Sequence, residues 1–419
     1  MNDRLSYDIL VIGGGPAGLA AAIEAHKNGA KVLVVEREAS LGGILKQCIH
    51  DGFGVARFGE KLTGPEYADR FVTQLAQTDV DVSLLSFVTD IQKVDDGFVV
   101  TYVCRNGVKK AHCRKLILAT GCRERTRNAV SIHGDRPSGV YTAGAAQNLV
   151  NLSGVLPGRR CVILGSGDIG LIMARRLTFD GAKVLGVFEA KPTPSGLSRN
   201  IQQCLVDFDI PLQLSTTVTR VFGADRLTAV ELSSVDERMR PIAGTERIVE
   251  CDTLILAVGL IPENELARAI GVPLDGKTKG AYVDQNCQTR LPRVYQCGNA
   301  LHVNDLVDYV SESGETAGRA AATIDAKPEQ IAVNAQGKLL YVVPQMLDIS
   351  GRCGKTVFYF RASEVLAKQR VEVVVDDKIV FTKRFAKLLP PEMERVTVDL
   401  TDVPLCQGSV VRFVLSDVD

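Results

Sequence analysis

The feature that most constrains the fold is a glycine-rich turn between two apolar runs near the amino terminus. Residues Ile9–Ile12 form a short, largely β-branched run that is typical of a buried parallel strand. The turn Gly13–Gly18 follows with G-x-G-x-x-G spacing, and after it the sequence predicts a helix over Leu19–Lys27 and a strand over Lys31–Val35 that ends at Glu36. Strand, turn, helix, strand and terminal acid in this order indicate a dinucleotide-binding unit.

Three glycines and one acid in this unit have separate physical roles. Gly13 permits the tight turn, Gly15 lets the backbone approach a pyrophosphate, and Gly18 lets the helix pack on the strand. The free N–H groups and the positive dipole end of the helix then meet the phosphates, and Glu36 can accept hydrogen bonds from a ribose. The alternative is a glycine-rich turn that binds no ligand.

The same pattern recurs in the middle of the chain. Arg160–Leu164 is an apolar strand, Gly165–Gly170 repeats the G-x-G-x-x-G spacing, and a helix is predicted over Leu171–Phe179. A strand over Lys183–Phe188 then ends at Glu189, as the first unit ends at Glu36. The sequence therefore predicts two mononucleotide-type folds in one chain.

The runs LILATG at 116–121 and LILAVG at 254–259 are alike and predict the strands that lead into and out of the second unit. After Lys327-Pro328 the pattern changes to short β-patterned runs separated by turns, which indicates a small β domain. The fold class is therefore predicted as α/β, with two Rossmann-like three-layer domains, the first interrupted by the second, and a small carboxy-terminal all-β domain. The predicted bounds are 1–121 with 260–328, then 122–259, then 329–419.

Two local predictions concern the first domain. Val80–Leu85 is assigned to a small antiparallel insertion, with a hairpin turning at Asn106-Gly107. A helix of small residues is expected to begin near Ser313 or Glu315 and to run to about Ile324.

Composition excludes several classes of function. Across 419 residues, 49 Lys and Arg balance 49 Asp and Glu, so no global field attracts nucleic acid or an anionic membrane. The 11 cysteines show no zinc spacing and no C-x-x-C, and no run approaches the roughly 20 apolar residues of a membrane span. The amino terminus carries no secretory signal pattern, so a cytoplasmic protein without a metal site is expected.

Together these motifs resemble the pyridine-nucleotide-dependent flavoproteins, which contain two dinucleotide-binding domains, over residues 1 to about 328. The segments Gln47–Gly54, Gly121–Arg127, Gly139–Gln147 and Gly298–Val303 look like the FAD/NAD-dependent oxidoreductase subunit that accompanies a flavin dehydrogenase of the anaerobic glycerol-3-phosphate type. That group is similar to subunits of hydrogen cyanide synthase, opine oxidase and sarcosine oxidase.

The resemblance implies that the first domain holds FAD and the second holds NAD. Asn299 stands where the commoner pattern has Asp, so the site would keep a hydrogen-bonding group but lose a charge. Glu189 favours NAD over NADP because a carboxylate repels a 2′-phosphate, although Arg199 lies ten residues further on and leaves NADP open. The implied cofactor-binding residues are Gly13, Gly15, Pro16, Ala17, Gly18, Glu36, Arg37, Gly42, Gly43, Ile44, Val88, Ala119, Thr120, Gly121, Gly298 and Asn299, with Gly165, Gly167, Asp168, Ile169, Glu189, Val258 and Gly259.

Hydride transfer from NADH to a flavin needs no side-chain acid or nucleophile, since the cofactors supply the chemistry. Cys48 and His50 are nevertheless candidate catalytic residues, because the resemblance places their loop beside the flavin. Either they tune the flavin or relay a proton, or they only pack and bond within the loop. A helix N-terminus near Gly314–Thr316 is expected to stabilise negative charge on reduced flavin.

The leading hypothesis is an FAD-dependent oxidoreductase that passes electrons between NAD(H) and a partner flavin dehydrogenase subunit, in an oligomer or a heteromeric complex. The absence of the redox cysteine spacings of disulfide reductases motivates the partner. Two alternatives stay open, a stand-alone NADH oxidase that reduces oxygen and a non-catalytic cofactor-binding scaffold subunit.

Overall fold

The strands and helices fall into two units in the computed structural model, which describes residues 5–325, 327–351 and 353–418. The first unit comprises the chain up to Cys122 and again from Pro262 onward, and the second comprises Arg123–Ile261. The predicted separation of an FAD-binding domain from a carboxy-terminal domain, with the bounds given above, stays a prediction.

The first segment of the first unit contains most of a mixed sheet and three α-helices. A short 3₁₀ helix spans Gly43–Gln47, and the chain leaves this unit through a strand at Cys122–Glu124. The strands are β1 (Leu5–Ile12), β2 (Val32–Val35), β3 (Asp51–Phe53), β4 (Leu62–Thr63), β5 (Asp81–Ser83), β6 (Phe87–Val94), β7 (Gly97–Cys104), β8 (Gly107–Leu118) and β9 (Cys122–Glu124), and the helices are α1 (Pro16–Lys27), α2 (Val55–Phe58) and α3 (Gly64–Leu75).

The second unit contains two sheets. A five-stranded parallel sheet has the order β11-β18-β12-β13-β14, and a four-stranded sheet has the order β10-β15-β16-β17. The elements are β10 (His133–Gly134), β11 (Val140–Thr142), α4 (Ala143–Asn151), β12 (Arg160–Leu164), α5 (Asp168–Phe179), β13 (Lys183–Phe188), α6 (Ser198–Cys204), β14 (Leu212–Gln213), β15 (Thr216–Phe222), β16 (Ala229–Ser234), β17 (Arg247–Glu250) and β18 (Thr253–Leu256), followed by the connecting strand β19 (Leu260–Pro262) and by 3₁₀ turns at Arg127–Val130 and Val206–Phe208.

The last segment returns to the first unit and ends in β structure. A 3₁₀ turn at Gly298–Ala300 precedes the long final helix. The elements are α7 (Glu265–Ala269), β20 (Val294–Gln296), α8 (Val307–Thr323), β21 (Gln330–Gln336), β22 (Leu339–Val343), β23 (Met346–Asp348), β24 (Lys355–Ala362), β25 (Leu366–Val375), β26 (Lys378–Leu388), β27 (Glu394–Asp399) and β28 (Val411–Asp417).

Parallel pairing at the centre of the first unit positions its glycine turn. The sheet order is β5-β2-β1-β8-β7-β6, and β20 pairs in parallel with the end of β8. Because β1 runs parallel to both β2 and β8, the carboxyl ends of these strands meet at one edge, where the first glycine turn begins. The carboxy-terminal strands form two further sheets, β23-β21-β28-β25-β26 and β22-β24-β27, over a shared apolar core. The predicted α/β class with an added β region is confirmed.

Two local predictions are wrong. β5 pairs in parallel with β2 rather than joining the antiparallel insertion, which consists of β6, β7 and β8 with the expected turn at Asn106-Gly107. The final helix begins at Val307, so Gly314 and Glu315 lie inside it rather than at its N-terminus.

Close helix packing explains the glycines inside α8. A Cβ atom added at Gly314 would lie 2.2 Å from the carbonyl oxygen of Ala17, and one added at Gly318 would lie 2.2 Å from that of Ala21. The two glycines are four residues apart, on one face of α8, so the backbones of α8 and α1 approach each other closely. Within the part of the chain that the structure describes, no helix has both the length and the apolar character needed to cross a membrane.

Candidate functional site

The first glycine turn leaves the N-terminus of α1 uncapped. Its N-cap residue, Gly15, has extended backbone angles (φ −79°, ψ −176°), and no side chain bonds the free N–H groups of the first turn. By contrast, α3 is closed by a capping box in which Thr63 and Glu66 bond each other's backbone N–H groups. The unbonded donors and the positive dipole end of α1 are therefore available to an anion.

The three glycines of this turn have different surroundings. A Cβ atom at Gly13 would lie 2.4 Å from the carbonyl oxygen of Ala119, and one at Gly18 would lie 1.8 Å from that of Gly13. A Cβ atom at Gly15 would meet only the Cα atom of Gly43, at 3.9 Å. Gly13 and Gly18 therefore serve the packing of turn, strand and helix, whereas the space beside Gly15 is open.

The carboxylate of Glu36 organises the same turn. It is buried, with Oε2 accepting from the N–H of Gly14 at 2.6 Å and Oε1 accepting from the N–H of Glu38 at 2.7 Å. Each carboxylate oxygen has a second lone pair, so a ribose hydroxyl can bond without displacing these donors.

The fold brings two distant segments of the predicted site to this turn. A Cβ atom at Gly43 would lie 3.0 Å from the Cα atom of Gly15, and one at Gly298 would lie 2.7 Å from the Cβ atom of Ala17. Asn299 follows Gly298, and its side-chain amide donates to the sulfur of Cys122 at 3.7 Å. Loop, turn and 3₁₀ helix therefore surround the start of α1.

Other predicted residues lie around this centre with less direct roles. Thr120 donates through its hydroxyl to the carbonyl oxygen of Glu263 at 2.6 Å, and the carbonyl oxygen of Gly121 accepts from the N–H of Glu263 at 3.0 Å. Arg37 and Ile44 are exposed, and Pro16 is the first helical residue, where no N–H group is needed. Val88 lies in β6, where its side chain is buried in the core on the other face of the sheet. Their assignment to cofactor binding stays a prediction.

The second glycine turn repeats the geometry of the first. Gly167 is the N-cap of α5 with extended angles (φ −66°, ψ 162°), and no side chain caps the helix. A Cβ atom at Gly165 would lie 2.2 Å from the carbonyl oxygen of Ala257, one at Gly170 would lie 2.5 Å from that of Gly165, and one at Gly167 would have nothing within 4 Å. Packing again involves the first and third glycines and leaves the middle glycine open.

Glu189 occupies the position that Glu36 has in the first unit. It is buried, and its Oε2 accepts from the N–H of Ser166 at 3.0 Å and from the Ser166 hydroxyl at 2.7 Å. Its Oε1 accepts from the N–H of Lys191 at 3.1 Å. Ser166 was not predicted from the sequence, although its place as the second residue of the turn, equivalent to Gly14, is the signal that identifies it.

Asp168 distinguishes the two turns. It is the first residue of α5, and its Oδ1 accepts from the N–H of Leu197 at 2.9 Å and from the side-chain amide of Asn200 at 2.7 Å. The segment around Gly196 consequently lies against the second turn, where a Cβ atom at Gly196 would be 2.8 Å from the carbonyl oxygen of Ser166. Asp168 therefore anchors a loop and adds negative charge beside the helix N-terminus, where the first turn has Pro16.

The remaining predicted residues of the second unit lie near this turn. Ile169 and Val258 are half-buried against the two cores of the unit. Gly259 is exposed, with a left-handed backbone (φ 102°), and its carbonyl oxygen accepts from the N–H of Arg125 at 3.0 Å. Arg199 is exposed in α6.

The loop predicted to face the flavin leaves both Cys48 and His50 half-buried. Burial raises the pKa of the Cys48 thiol to about 11, and its sulfur lies 3.4 Å from the carbonyl oxygen of Ile44. At neutral pH this thiol is therefore protonated and is not a nucleophile. The His50 ring packs on Phe53, with a centroid distance of 5.0 Å. A contact of either residue with a flavin stays a prediction.

A further residue, Ser313, holds Gly298 of the first site through a hydrogen bond. Its hydroxyl accepts from the N–H of Gly298 at 2.9 Å and donates to the carbonyl oxygen of Val310 at 2.8 Å. No local motif marks Ser313, because its contact with Gly298 depends on how α8 packs.

Both turns fit a dinucleotide on physical grounds. Each has an uncapped helix N-terminus, an open middle glycine and a buried carboxylate at the end of the next strand. These are the contacts that a pyrophosphate and an adenosine ribose require. The second turn differs in the carboxylate of Asp168, which lies at the start of α5 and has no counterpart in the first turn.

Comparisons with known proteins agree with this geometry. The sequence pattern of the family described as pyridine nucleotide-disulphide oxidoreductase matches residues 7–338. An opine oxidase subunit of Agrobacterium tumefaciens is 24% identical over 335 residues, which cover 75% of this chain and 64% of that protein. The hydrogen cyanide synthase subunit HcnB of Pseudomonas protegens is 28% identical over 290 residues, which cover 64% of this chain and 60% of that protein.

One further relative and one solved structure are also similar to this chain. The alpha subunit of sarcosine oxidase from Corynebacterium sp. is 31% identical over 274 residues, which cover 61% of this chain and 26% of that protein. The chain therefore spans less than two thirds of the length of these three relatives. Thioredoxin reductase from T. acidophilum has a similar structure, with a TM-score of 0.64 at 22% identity, covering 76% of this chain and 99% of that chain, and this similarity concerns the fold.

Proposed function

Because this chain belongs to the pyridine nucleotide-disulphide oxidoreductase family, whose members are oxidoreductases that use FAD and NAD(P), we propose that it passes electrons between NAD(H) and bound FAD, and then to or from a partner dehydrogenase subunit. The observation that carries the proposal is the presence of two similar dinucleotide turns in one chain. A protein that bound a single nucleotide would need only one of them.

The contribution of this chain is to bind and orient the cofactors. The cofactors supply the redox chemistry, with the nicotinamide as hydride donor and the flavin as acceptor. In the first unit, the open N-terminus of α1 would hold the FAD pyrophosphate, Glu36 its adenosine ribose, and Gly298 with Asn299 its ribityl chain. In the second unit, Gly167 and Glu189 would hold NAD in the same way.

Glu189 supports NAD rather than NADP. Its buried carboxylate is fixed by Ser166 and by the N–H of Lys191, so it would face the adenosine ribose of a nucleotide bound at this turn. A 2′-phosphate there would meet a like charge at short range, whereas a 2′-hydroxyl would donate a hydrogen bond. Oxidation of NADH at least tenfold more efficiently than NADPH is the expected result.

The partner is supported by two observations. The relatives compared above are named as subunits of opine oxidase, hydrogen cyanide synthase and sarcosine oxidase. All 11 cysteines of this chain are free thiols, and burial raises the pKa of Cys48. A redox-active cysteine pair within this chain is therefore disfavoured as the electron acceptor. The free thiols also support a cytoplasmic location.

The test is electron transfer by the FAD-loaded chain, alone and assembled with the candidate dehydrogenase subunit. We expect slow NADH oxidation in air by the chain alone and a much faster transfer to or from the partner's substrate couple in the complex. Peroxide formation by the isolated chain at a rate that the partner does not change would contradict the partner and favour a stand-alone NADH oxidase.

A non-catalytic scaffold subunit is the second candidate, and Asp168 is the observation that favours it. Its carboxylate lies at the start of α5 and holds the loop around Gly196 against the turn. If NADH leaves bound FAD oxidised while the partner still requires this chain for activity, the scaffold role is selected. An Asp168→Asn variant that then gains NADH binding would identify the charge as the cause.

A further inference from the structure

A cavity of about 580 Å³ lies in the first unit, beside α8 and separate from the glycine turn. One wall is a single face of α8, formed by Glu312, Thr316, Arg319 and Thr323, which are spaced by four, three and four residues. Alternate residues of β24 form another part of the lining, namely Lys355, Val357 and Tyr359. Its volume is within the range of small-molecule sites, about 300–1,000 Å³.

The cavity is distinct from the first cofactor turn. None of the residues from Gly13 to Gly18, nor Glu36, is among its lining residues, all of which lie in the described part of the chain. The link between the two is Ser313, which lines the cavity and accepts the hydrogen bond from the N–H of Gly298. A molecule in this cavity would therefore touch the support of the flavin turn without occupying a dinucleotide position.

Every carboxylate that lines the cavity already has a partner. Two bond backbone N–H groups, and two are paired with cationic side chains. These contacts are Asp284 with the N–H groups of Asn286 and Gln288, Asp348 with those of Glu329 and Ser350, Asp325 with Lys115 at 2.7 Å, and Glu312 with Arg395 and with the Tyr359 hydroxyl at 2.7 Å. The acidic side chains therefore do not call for a cationic ligand.

The two cationic side chains of the lining are less fully engaged. Lys355 is exposed and makes no ion pair with the described residues, and Asp399 stands opposite it on β27. Arg319 donates from Nε to Glu24 at 3.0 Å, and its two terminal nitrogens make no hydrogen bond to the described residues. The terminal nitrogens of Arg319 and the ammonium group of Lys355 therefore keep hydrogen-bond donors that a ligand can use.

His302 adds an unsatisfied polar group to the lining. The side chain is 2% exposed, and its Nδ1 has no hydrogen-bond partner among the described residues. Burial lowers the pKa of this imidazole to about 3, so the ring is neutral at physiological pH. Its ring packs on Tyr359 with a centroid distance of 5.5 Å. An unpaired polar atom at such burial is costly unless a ligand group or a water reaches it.

We propose that this cavity binds a small organic anion, a carboxylate or phosphate ester that also carries a hydroxyl group. Lys355 and Arg319 bind the oxyanion, and the hydroxyl group reaches the neutral polar wall formed by His302 and Tyr359. The proposal goes beyond electron transfer and does not depend on it.

The test is calorimetric titration of the FAD-loaded chain, with NAD⁺ present throughout so that both dinucleotide turns are filled. Malate and glycerol 2-phosphate probe the carboxylate and the phosphate ester, and glycerol is the neutral comparison. We expect saturable one-site binding of at least one anion and none of glycerol. Lys355→Gln or Arg319→Gln should weaken that binding about tenfold. Lys378→Gln, an exposed lysine at the start of β26, should not change it.

A Val357→Phe variant tests the cavity itself, since it narrows the space without changing any charge. We expect it to abolish anion binding, and an unchanged FAD content and melting temperature would show that the fold is intact. Absence of saturable binding for both anions, or binding that Lys355→Gln and Val357→Phe leave unchanged, would overturn the proposal. Neither result bears on electron transfer, because the titration involves no turnover.

Discussion

Alanine at Gly15 and alanine at Gly18 should separate cofactor binding from folding, although the two glycines are only three residues apart. At Gly18 the new methyl group would lie 1.8 Å from the carbonyl oxygen of Gly13, whereas carbon–oxygen contacts lie near 3.3 Å or more. Turn and helix must therefore separate by about 1.5 Å, and overpacking of this kind costs about 1–3 kcal/mol. The apoprotein should be destabilised by that amount.

At Gly15 the same methyl group has room in the protein. Its only close neighbour is Gly43 at 3.9 Å, and the backbone angles are normal for alanine. The apoprotein should keep its stability or gain about 0.4–1 kcal/mol, because alanine restricts the unfolded chain. FAD should bind about 10- to 100-fold more weakly, because the methyl group blocks the close approach that a charge-assisted hydrogen bond of about 1.5–3 kcal/mol requires.

The assay combines chemical unfolding of the apoprotein with FAD affinity measured from quenching of flavin fluorescence. The second turn supplies a matched pair, since Gly167→Ala should affect NAD binding alone and Gly170→Ala should affect stability. Wild-type FAD affinity in Gly15→Ala, or wild-type stability in Gly18→Ala, would refute the assignment of the middle glycine to the ligand and of the third to packing.

Three further predictions concern single side chains. Lys115→Met should lower the free energy of unfolding by roughly 2–4 kcal/mol and speed hydrogen exchange at the end of α8, because the buried ammonium group donates to two carbonyl oxygens there at 2.7 Å. The control is Lys109→Met, since Lys109 is exposed on the same strand. Alkylation, mapped by mass spectrometry, should be faster at Cys406 than at Cys48, because Cys406 is exposed and the Ser409 hydroxyl lowers its pKa, whereas burial raises the pKa of Cys48 to about 11. Equal alkylation rates at pH 8 would contradict this. Burial raises the pKa of Asp284 from 3.8 to about 6, so the folded state binds the proton more tightly than the unfolded state. The free energy of unfolding should therefore fall by roughly 2–3 kcal/mol as the pH rises from 4 to 7. If Asp284→Asn leaves this pH dependence of stability unchanged, another group is responsible.

Local chemistry explains what could be predicted from the sequence. The two glycine turns, their flanking strands and the acids Glu36 and Glu189 were identified because each role depends on neighbouring residues. The structure confirms the helix after each turn and places both acids at the ends of their strands. In the carboxy-terminal region, the change to short β-patterned runs after Pro328 predicted strands, and β22 (Leu339–Val343) is one of those observed.

The errors arise where packing decides between patterns. The helix of small residues was expected to begin near Ser313 or Glu315, whereas it begins at Val307 and contains Gly314 in its interior. In the structure this glycine allows α8 to contact α1, and that contact cannot be read from the local sequence. The bonds of Asp168 to Leu197 and Asn200, and the contact of Ser313 with Gly298, likewise join segments that only the folded chain brings together. The cavity beside α8 has the same origin.

Anaerobic addition of NADH to the purified, FAD-loaded chain tests the central claim most directly, with the visible absorbance of the flavin as the readout. We expect the yellow absorbance to bleach at one NADH per FAD, and much more slowly with NADPH or in a Gly167→Ala variant. A flavin that dithionite bleaches but NADH does not, in a preparation that holds a full complement of FAD, would contradict electron transfer between the two cofactors in this chain.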